Sequence, residues 1–141
     1  MSTDAAEVAH ELRLAVMRFS RRLRGQRVDT SATLTQLSAL ATLKRHGAMS
    51  LGDLAGHERV QPPSMTRVVA SLEAAGLVSR TPHPTDGRQV VLDLTEAARQ
   101  LLTAEGRARE AWLTGRLLGL SDRERAVLAD AAVILERLAG Q

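Results

Sequence analysis

The 141-residue sequence predicts a mainly α chain with one small β-hairpin, the layout of a winged helix, flanked by further helices at both ends. Three observations predict it. Hydrophobic residues make up 44% of the chain but aromatic ones only 1%, so Leu, Val and Ala must fill the core, as in helix bundles. Met65, Val68, Val69 and Leu72 recur at helical spacing and define one buried stripe. Directly after them, Leu77 to Thr81 alternate in character and pass through a proline-rich Asp86-Gly87 turn into Gln89 to Leu94, a hairpin signal.

The elements follow in order. Asp4 to Arg24 reads as a helix, because Val8, Leu12, Ala15, Val16, Phe19 and Leu23 keep helical spacing. Arg13, Arg21 and Arg24 lie off that stripe, either as a solvated face or as a contact for phosphate or a partner. Gly25 to Ser31 is a polar break. Thr33 and Gln36 have capping-box spacing and open a helix through Leu37, Leu40, Ala41 and Leu43 that closes at His46-Gly47. Met49-Ser50 is expected to start another short helix, with Ser50 and Asp53 at cap spacing and Leu51, Leu54 and Ala55 turned inward. His57 to Val60 is the turn into the next one.

That next helix begins at Pro62-Pro63, since proline has no amide to leave unpaired in a first turn and its φ is already helical. Gly76 stops it as a left-handed cap. Opposite the buried stripe lie Pro63, Arg67, Ala70 and Ala74, flanked by Ser64, Thr66 and Ser71. A face this small and hydroxylated lets the helix approach another surface closely, with one guanidinium to direct the contact. Two short helices joined by so short a turn fit a helix-turn-helix. Beyond the hairpin, Thr95 caps a long helix containing Leu101, Leu102, Ala108, Trp112, Leu117 and Leu118, whose end Gly115 and Gly119 are expected to loosen. Ser121 and Glu124 form a second capping box, followed by the seam Val127, Ala131, Ile134 and Leu138.

The organisation expected is a helical dimerisation region, residues 1–32 and 95–141, around a winged helix-turn-helix at 33–94, all one intertwined domain. The terminal helices carry more apolar surface than the small centre can cover, so a second copy should cover the rest. Val8, Leu12, Val16 and Phe19 of the first helix and Val127, Ile134 and Leu138 of the last are the expected interface. Trp112 is read as a core or dimer anchor, with a ligand cavity as the alternative.

Charge is less informative than the net +3 suggests. Residues 1–49 hold eight Lys or Arg against four acids, residues 50–94 four against five, and residues 95–141 seven against seven. The winged segment is not a basic patch. Nucleic-acid contact would depend on placed arginines (Arg59, Arg67, Arg80, Arg88) and helix N-termini, with the first segment supplying general attraction.

Several chemistries find no support. Without cysteine there are no disulfides, thiolate metal sites or thiol switches. His10, His46, His57 and His83 are scattered with no ligand spacing, so no metal and no cofactor is expected. Ser64 lies in PPSMT rather than a nucleophile elbow, and no glycine-rich phosphate loop occurs. The chain is read as no enzyme. No apolar run reaches bilayer length, and a cytoplasmic protein without membrane contact is the expectation.

The runs TQLSALATL (35–43), SMTRVVASLEAAGLVSR (64–80), DGR (86–88) and LTEAARQLL (94–102), in this order and spacing, resemble the MarR family of bacterial transcriptional regulators over nearly the whole chain. The resemblance implies a homodimer whose first and last helices interlock, each subunit offering its winged helix to one half of a pseudo-palindromic operator in double-stranded DNA. It implies a recognition helix in the major groove and a wing arginine, oriented by the wing aspartate, in the minor groove. Carried onto this chain, the expected DNA contacts are Gln61, Pro63, Ser64, Thr66, Arg67, Ser71, Arg80, Asp86 and Arg88. Many wings of the family have a second basic residue beside the arginine, whereas Gly87 and Gln89 stand on either side of Arg88 here. The peroxide-sensing cysteine of one branch is absent.

The favoured function is a repressor relieved by a small aromatic or anionic ligand; the alternative is a winged helix used for protein–protein contact. Arg67 has a bland reading too, as a surface ion pair with Glu73 or Asp53, and Asp86 to Arg88 could be only a tight turn.

Overall fold

The structure is a computed structural model and describes residues 3–28 and 31–140. In chain order it contains α1 (Ala5–Arg24), α2 (Leu34–His46), β1 (Met49–Ser50), α3 (Leu51–Glu58), α4 (Pro62–Ala74), β2 (Val78–Pro82), β3 (Val90–Leu94), α5 (Glu96–Leu118) and α6 (Asp122–Ala139). The mainly α fold with a hairpin wing is therefore as the sequence predicts. Two compact units divide it, residues 27–106 and residues 1–26 with 107–141, the division falling inside α5.

The first unit is the winged helix. Its core holds Ala39, Leu40, Leu43, Leu54, Met65, Val69, Leu72, Leu92 and Ala98, all essentially without solvent contact, with Leu51, Val68, Leu101 and Leu102 packed at its margin. Each fully buried Leu, Val or Met side chain contributes ~1.5–3 kcal/mol of transfer free energy. α2 is started by the expected capping box: the Thr33 hydroxyl accepts the Gln36 N–H at 3.1 Å, and Gln36 Oε1 accepts the Thr33 N–H at 2.8 Å. It ends at Gly47, whose φ of 86° only glycine adopts freely.

At Met49-Ser50 the expectation of a helix start is half wrong. These two residues form strand β1, pairing antiparallel with β3 through Met49–Leu92 and Ser50–Val91, in a three-stranded sheet of order β1-β3-β2. Ser50 still caps α3, its hydroxyl accepting the Asp53 N–H at 3.1 Å. One residue thus closes a strand and opens a helix. Gly76, with φ 73°, ends α4 as expected: its N–H reaches the Glu73 carbonyl and that of Leu77 the Leu72 carbonyl. Thr95 then fastens the start of α5 to this end, donating to the Gly76 carbonyl at 2.7 Å and accepting the Ala98 N–H at 3.2 Å.

In the second unit, α1 is capped by Asp4 and α6 by a Ser121–Glu124 box. α5 runs through Gly115 to Leu118 without a break, so Gly115 does not loosen it; one glycine costs about 1 kcal/mol against a cooperative ladder of 23 residues. Phe19 and Trp112 pack with ring centroids 6.0 Å apart, and the Arg22 and Arg116 guanidinium groups lie 6.0 and 5.2 Å from the Trp112 ring. No residue of α1 or α6 is buried. Val8, Leu12, Val16, Phe19, Val127, Ile134 and Leu138 are all exposed in the single chain, Ile134 at 46% and Leu138 at 63%. Among the described residues no helix is long and apolar enough to cross a membrane.

Candidate nucleic-acid interface

α3 and α4 are joined by Arg59, Val60 and Gln61, the tight connection of a helix-turn-helix. The turn is set by Arg59, which takes φ 55° in the left-handed region. Its N–H and that of Val60 close back on the Gly56 and Ala55 carbonyls at 3.3 and 3.1 Å, a glycine-type cap made with an arginine. The conformation costs a side-chain-bearing residue ~1–2 kcal/mol, which the flanking packing of Leu54, Ala55 and Val60 must offset. α3 therefore extends to Glu58, two residues into the segment expected as turn.

α2 serves as a backboard for both helices. At one end the Glu58 carboxylate accepts from the Ser38 and Thr42 hydroxyls, at 2.9 and 2.7 Å. At the other, Gln36 Nε2 donates to the Ser71 hydroxyl at 2.8 Å, and Ser71 donates onward to the Val68 carbonyl at 2.7 Å.

α4 buries Met65, Val69 and Leu72 and leaves Pro63, Ser64, Thr66, Arg67, Ala70, Ser71 and Ala74 exposed, as its periodicity predicts. Gln61 precedes it without a side-chain cap bond. The exposed face divides by what each polar group is already doing. Thr66 bonds back to the Pro62 carbonyl at 2.9 Å, and Ser71 is engaged as described. The side chains of Ser64 and Arg67 make no hydrogen bond or ion pair with the described residues. The bland reading of Arg67 finds no support: Glu73 is paired with Arg80, from β2, and Asp53 has no ion-pair partner among the described residues. Arg80 is thus half-exposed but already tied to α4.

The wing is built around His83 and Asp86. Thr85 and Asp86 donate their N–H groups to His83 Nδ1 at 3.2 and 3.0 Å, and the Gln89 N–H reaches the Asp86 carbonyl at 3.1 Å. The Asp86 carboxylate accepts the backbone N–H of Arg88 at 3.0 Å and Gln89 Nε2 at 3.4 Å. Asp86 therefore shapes the loop that carries Arg88, whereas the Arg88 guanidinium is exposed and has no partner among the described residues. Arg88 also borders a cleft of about 490 Å³ with Ser50, Gly52 and Asp53 at the start of α3.

Sequence reasoning missed several contacts of this unit. Gln36 to Ser71 spans 35 positions and Arg80 to Glu73 crosses from strand to helix, neither of which leaves a periodic trace. His46 and His57, far apart in sequence, stack at 4.3 Å, and among the described residues no third ligand joins them in a metal-binding group.

Residues 32–90, the helix-turn-helix and most of the wing, match the MarR family profile. An HTH-type transcriptional regulator of Mycobacterium tuberculosis is 50% identical over 135 residues, covering 96% of this chain and 94% of its own. A crystal structure of RV1404 from the same organism superposes with TM-score 0.84 at 26% identity, over 99% of this chain and 97% of that one. BpsR of Bordetella bronchiseptica, whose DNA binding is regulated by 6-hydroxynicotinic acid, superposes with TM-score 0.62 at 27% identity, over 96% and 98%. With its helix-turn-helix, wing and flanking helices in the same order as these proteins, the chain belongs to the MarR family of DNA-binding transcriptional regulators.

Proposed function

We propose that this regulator is a repressor that binds a pseudo-palindromic operator as a homodimer and is released by a small aromatic or anionic ligand. The observation that carries the reading is a division of labour among the arginines. Arg67 on α4 and Arg88 on the wing are the exposed guanidinium groups of these two elements without a partner among the described residues, whereas Arg80 is held by Glu73. A guanidinium fork matches a guanine edge in the major groove, and a cation suits the negative potential of a narrow minor groove. Ser64 and Gln61 stand at the N-terminal end of α4, where backbone N–H groups favour a phosphate. Arg80 contributes charge at the rim, and Pro63 and Thr66 shape the close approach.

The homodimer rests on the exposed apolar residues of α1 and α6, which a second copy of the same seams would cover. Repression follows from occlusion, since a dimer lying across a promoter excludes polymerase. Ligand release is supported by BpsR, a structural neighbour with that mode of control; Arg22 and Arg116 beside Trp112 offer cations and an aromatic face to such a ligand. The site of action is the cytoplasm, where a bacterial operator lies.

Selection of binding sites from random duplexes tests the reading. An inverted repeat should emerge, with affinity that falls steeply as salt rises, because each neutralised phosphate contributes a slope of roughly −0.9 in log affinity against log salt. A protein–protein module would enrich no sequence and show no such slope.

A further inference from the structure

We infer that Gln36, on α2, is a positioning residue for operator recognition, and that Ser71 acts as its anchor on the recognition helix rather than as a DNA contact. The inference rests on the DNA-binding reading above and concerns which residues set the aim of α4. The apolar side chains Met65, Val69 and Leu72 hold α4 against the core. Such contacts are non-directional and tolerate small rotations about the helix axis. A hydrogen bond does not, because it weakens steeply away from linear geometry.

Gln36 supplies one at each end of its amide. Its Oε1 accepts the Thr33 N–H at 2.8 Å, which locks the side chain to the first turn of α2. Its Nε2 donates to Ser71 Oγ at 2.8 Å, and Ser71 Oγ donates to the Val68 carbonyl at 2.7 Å. The amide is therefore held at the oxygen and pulls at the nitrogen. Ser71 follows Arg67 by four residues, so both lie on one stripe of α4. The turn that Gln36 grips is the turn that presents the arginine. With its proton given to Val68 and a lone pair to Gln36, the Ser71 hydroxyl has no donor left for a base or phosphate.

The test is a double-mutant cycle of Gln36→Ala and Ser71→Ala, read as affinity for the selected operator and for a random duplex. Each single variant should lose about two- to twelvefold in operator affinity, the worth of one net hydrogen bond, with random-duplex binding unchanged. Ser71→Ala should cost nothing further once Gln36 is gone. Should Gln36→Ala fold poorly, Gln36→Asp keeps an acidic acceptor in the first turn of α2, which suits a helix N-terminus, on a side chain one methylene too short to hold Ser71; affinity for random duplex corrects for its charge. Losses that add in the double variant, or a Gln36→Asp protein that binds the operator like wild type while Ser71→Ala does not, would place Ser71 on the DNA and overturn the inference. A wild-type protein that selects no duplex would overturn the functional reading, and this inference with it.

Discussion

The wing can be dissected by replacing Asp86 with two residues that differ in one respect. Asparagine keeps an oxygen that can accept the Arg88 N–H, now bonded at 3.0 Å, and removes the negative charge; alanine removes both. The contact from Gln89 at 3.4 Å is long and adds little. Loss of the side-chain acceptor at this solvent-facing tip should cost about one net hydrogen bond, ~0.5–1.5 kcal/mol, in ordering the loop that presents Arg88. Removing a carboxylate ~8 Å from a phosphate in water returns about 0.5 kcal/mol before salt screening. Asp86→Asn should therefore bind the operator as tightly as wild type or about twofold tighter. Asp86→Ala should be about two- to twelvefold weaker than Asp86→Asn. Fluorescence anisotropy against a labelled operator, at two salt concentrations, reads both quantities. Arg88→Ala should flatten the salt slope by ~0.9 if its contact is a phosphate, and Asp86→Ala should then cost nothing more. If Asp86→Asn proves as weak as Asp86→Ala, the carboxylate orients the guanidinium by charge, and the turn-shaping role argued here is wrong.

Other substitutions probe the remaining parts. Arg67→Ala should weaken operator binding by ~1–3 kcal/mol with no loss of melting temperature, since the side chain has no partner among the described residues and alanine is the better helix former; unchanged affinity in the folded variant would remove Arg67 from the interface. Arg59→Gly should raise stability by roughly 0.5 kcal/mol, because relief of the left-handed conformation, ~1–2 kcal/mol, exceeds the extra chain entropy of glycine, ~0.5–1 kcal/mol. A lower melting temperature would show that the arginine side chain supports the turn. Ile134→Asp separates dimer from monomer: on a lone chain, where Ile134 is 46% exposed, it should change stability by less than about 0.5 kcal/mol, but in a dimer it buries a carboxylate and should dissociate the protein. A dimer by sedimentation at micromolar concentration would contradict the placement of the seam.

The helices of both units were legible because their signals are local. Both capping boxes, the prolines of α4 and the αL glycine at its end each concern residues within four positions of one another. The buried stripe of α4 was legible for the same reason, though Val68 proves only half-buried. β1 was not: two residues are too few to display a period, and Ser50 carries a helix cap that masks the strand. Arg59 gave no sign of its left-handed backbone, since glycine or asparagine usually marks such a turn. At the interface, the choice of residue types was legible and their existing commitments were not. Ser71, Arg80 and Asp86 all sit where the sequence places them, yet each is engaged with a partner that only folding brings near or, for Asp86, with the backbone of its own loop. The division between free and committed groups is what points to Arg67 and Arg88.

The most direct test of the account changes the DNA rather than the protein. Two winged helices related by a two-fold axis meet the major groove on the same side of the duplex only when half-site centres lie about one helical turn, roughly 10 base pairs, apart. Inserting about five base pairs between the half-sites of the selected operator turns one of them to the opposite side. The account predicts that the dimer then holds a single half-site, with affinity falling toward that for random duplex. Equal affinity for the rotated and the original operator would contradict it.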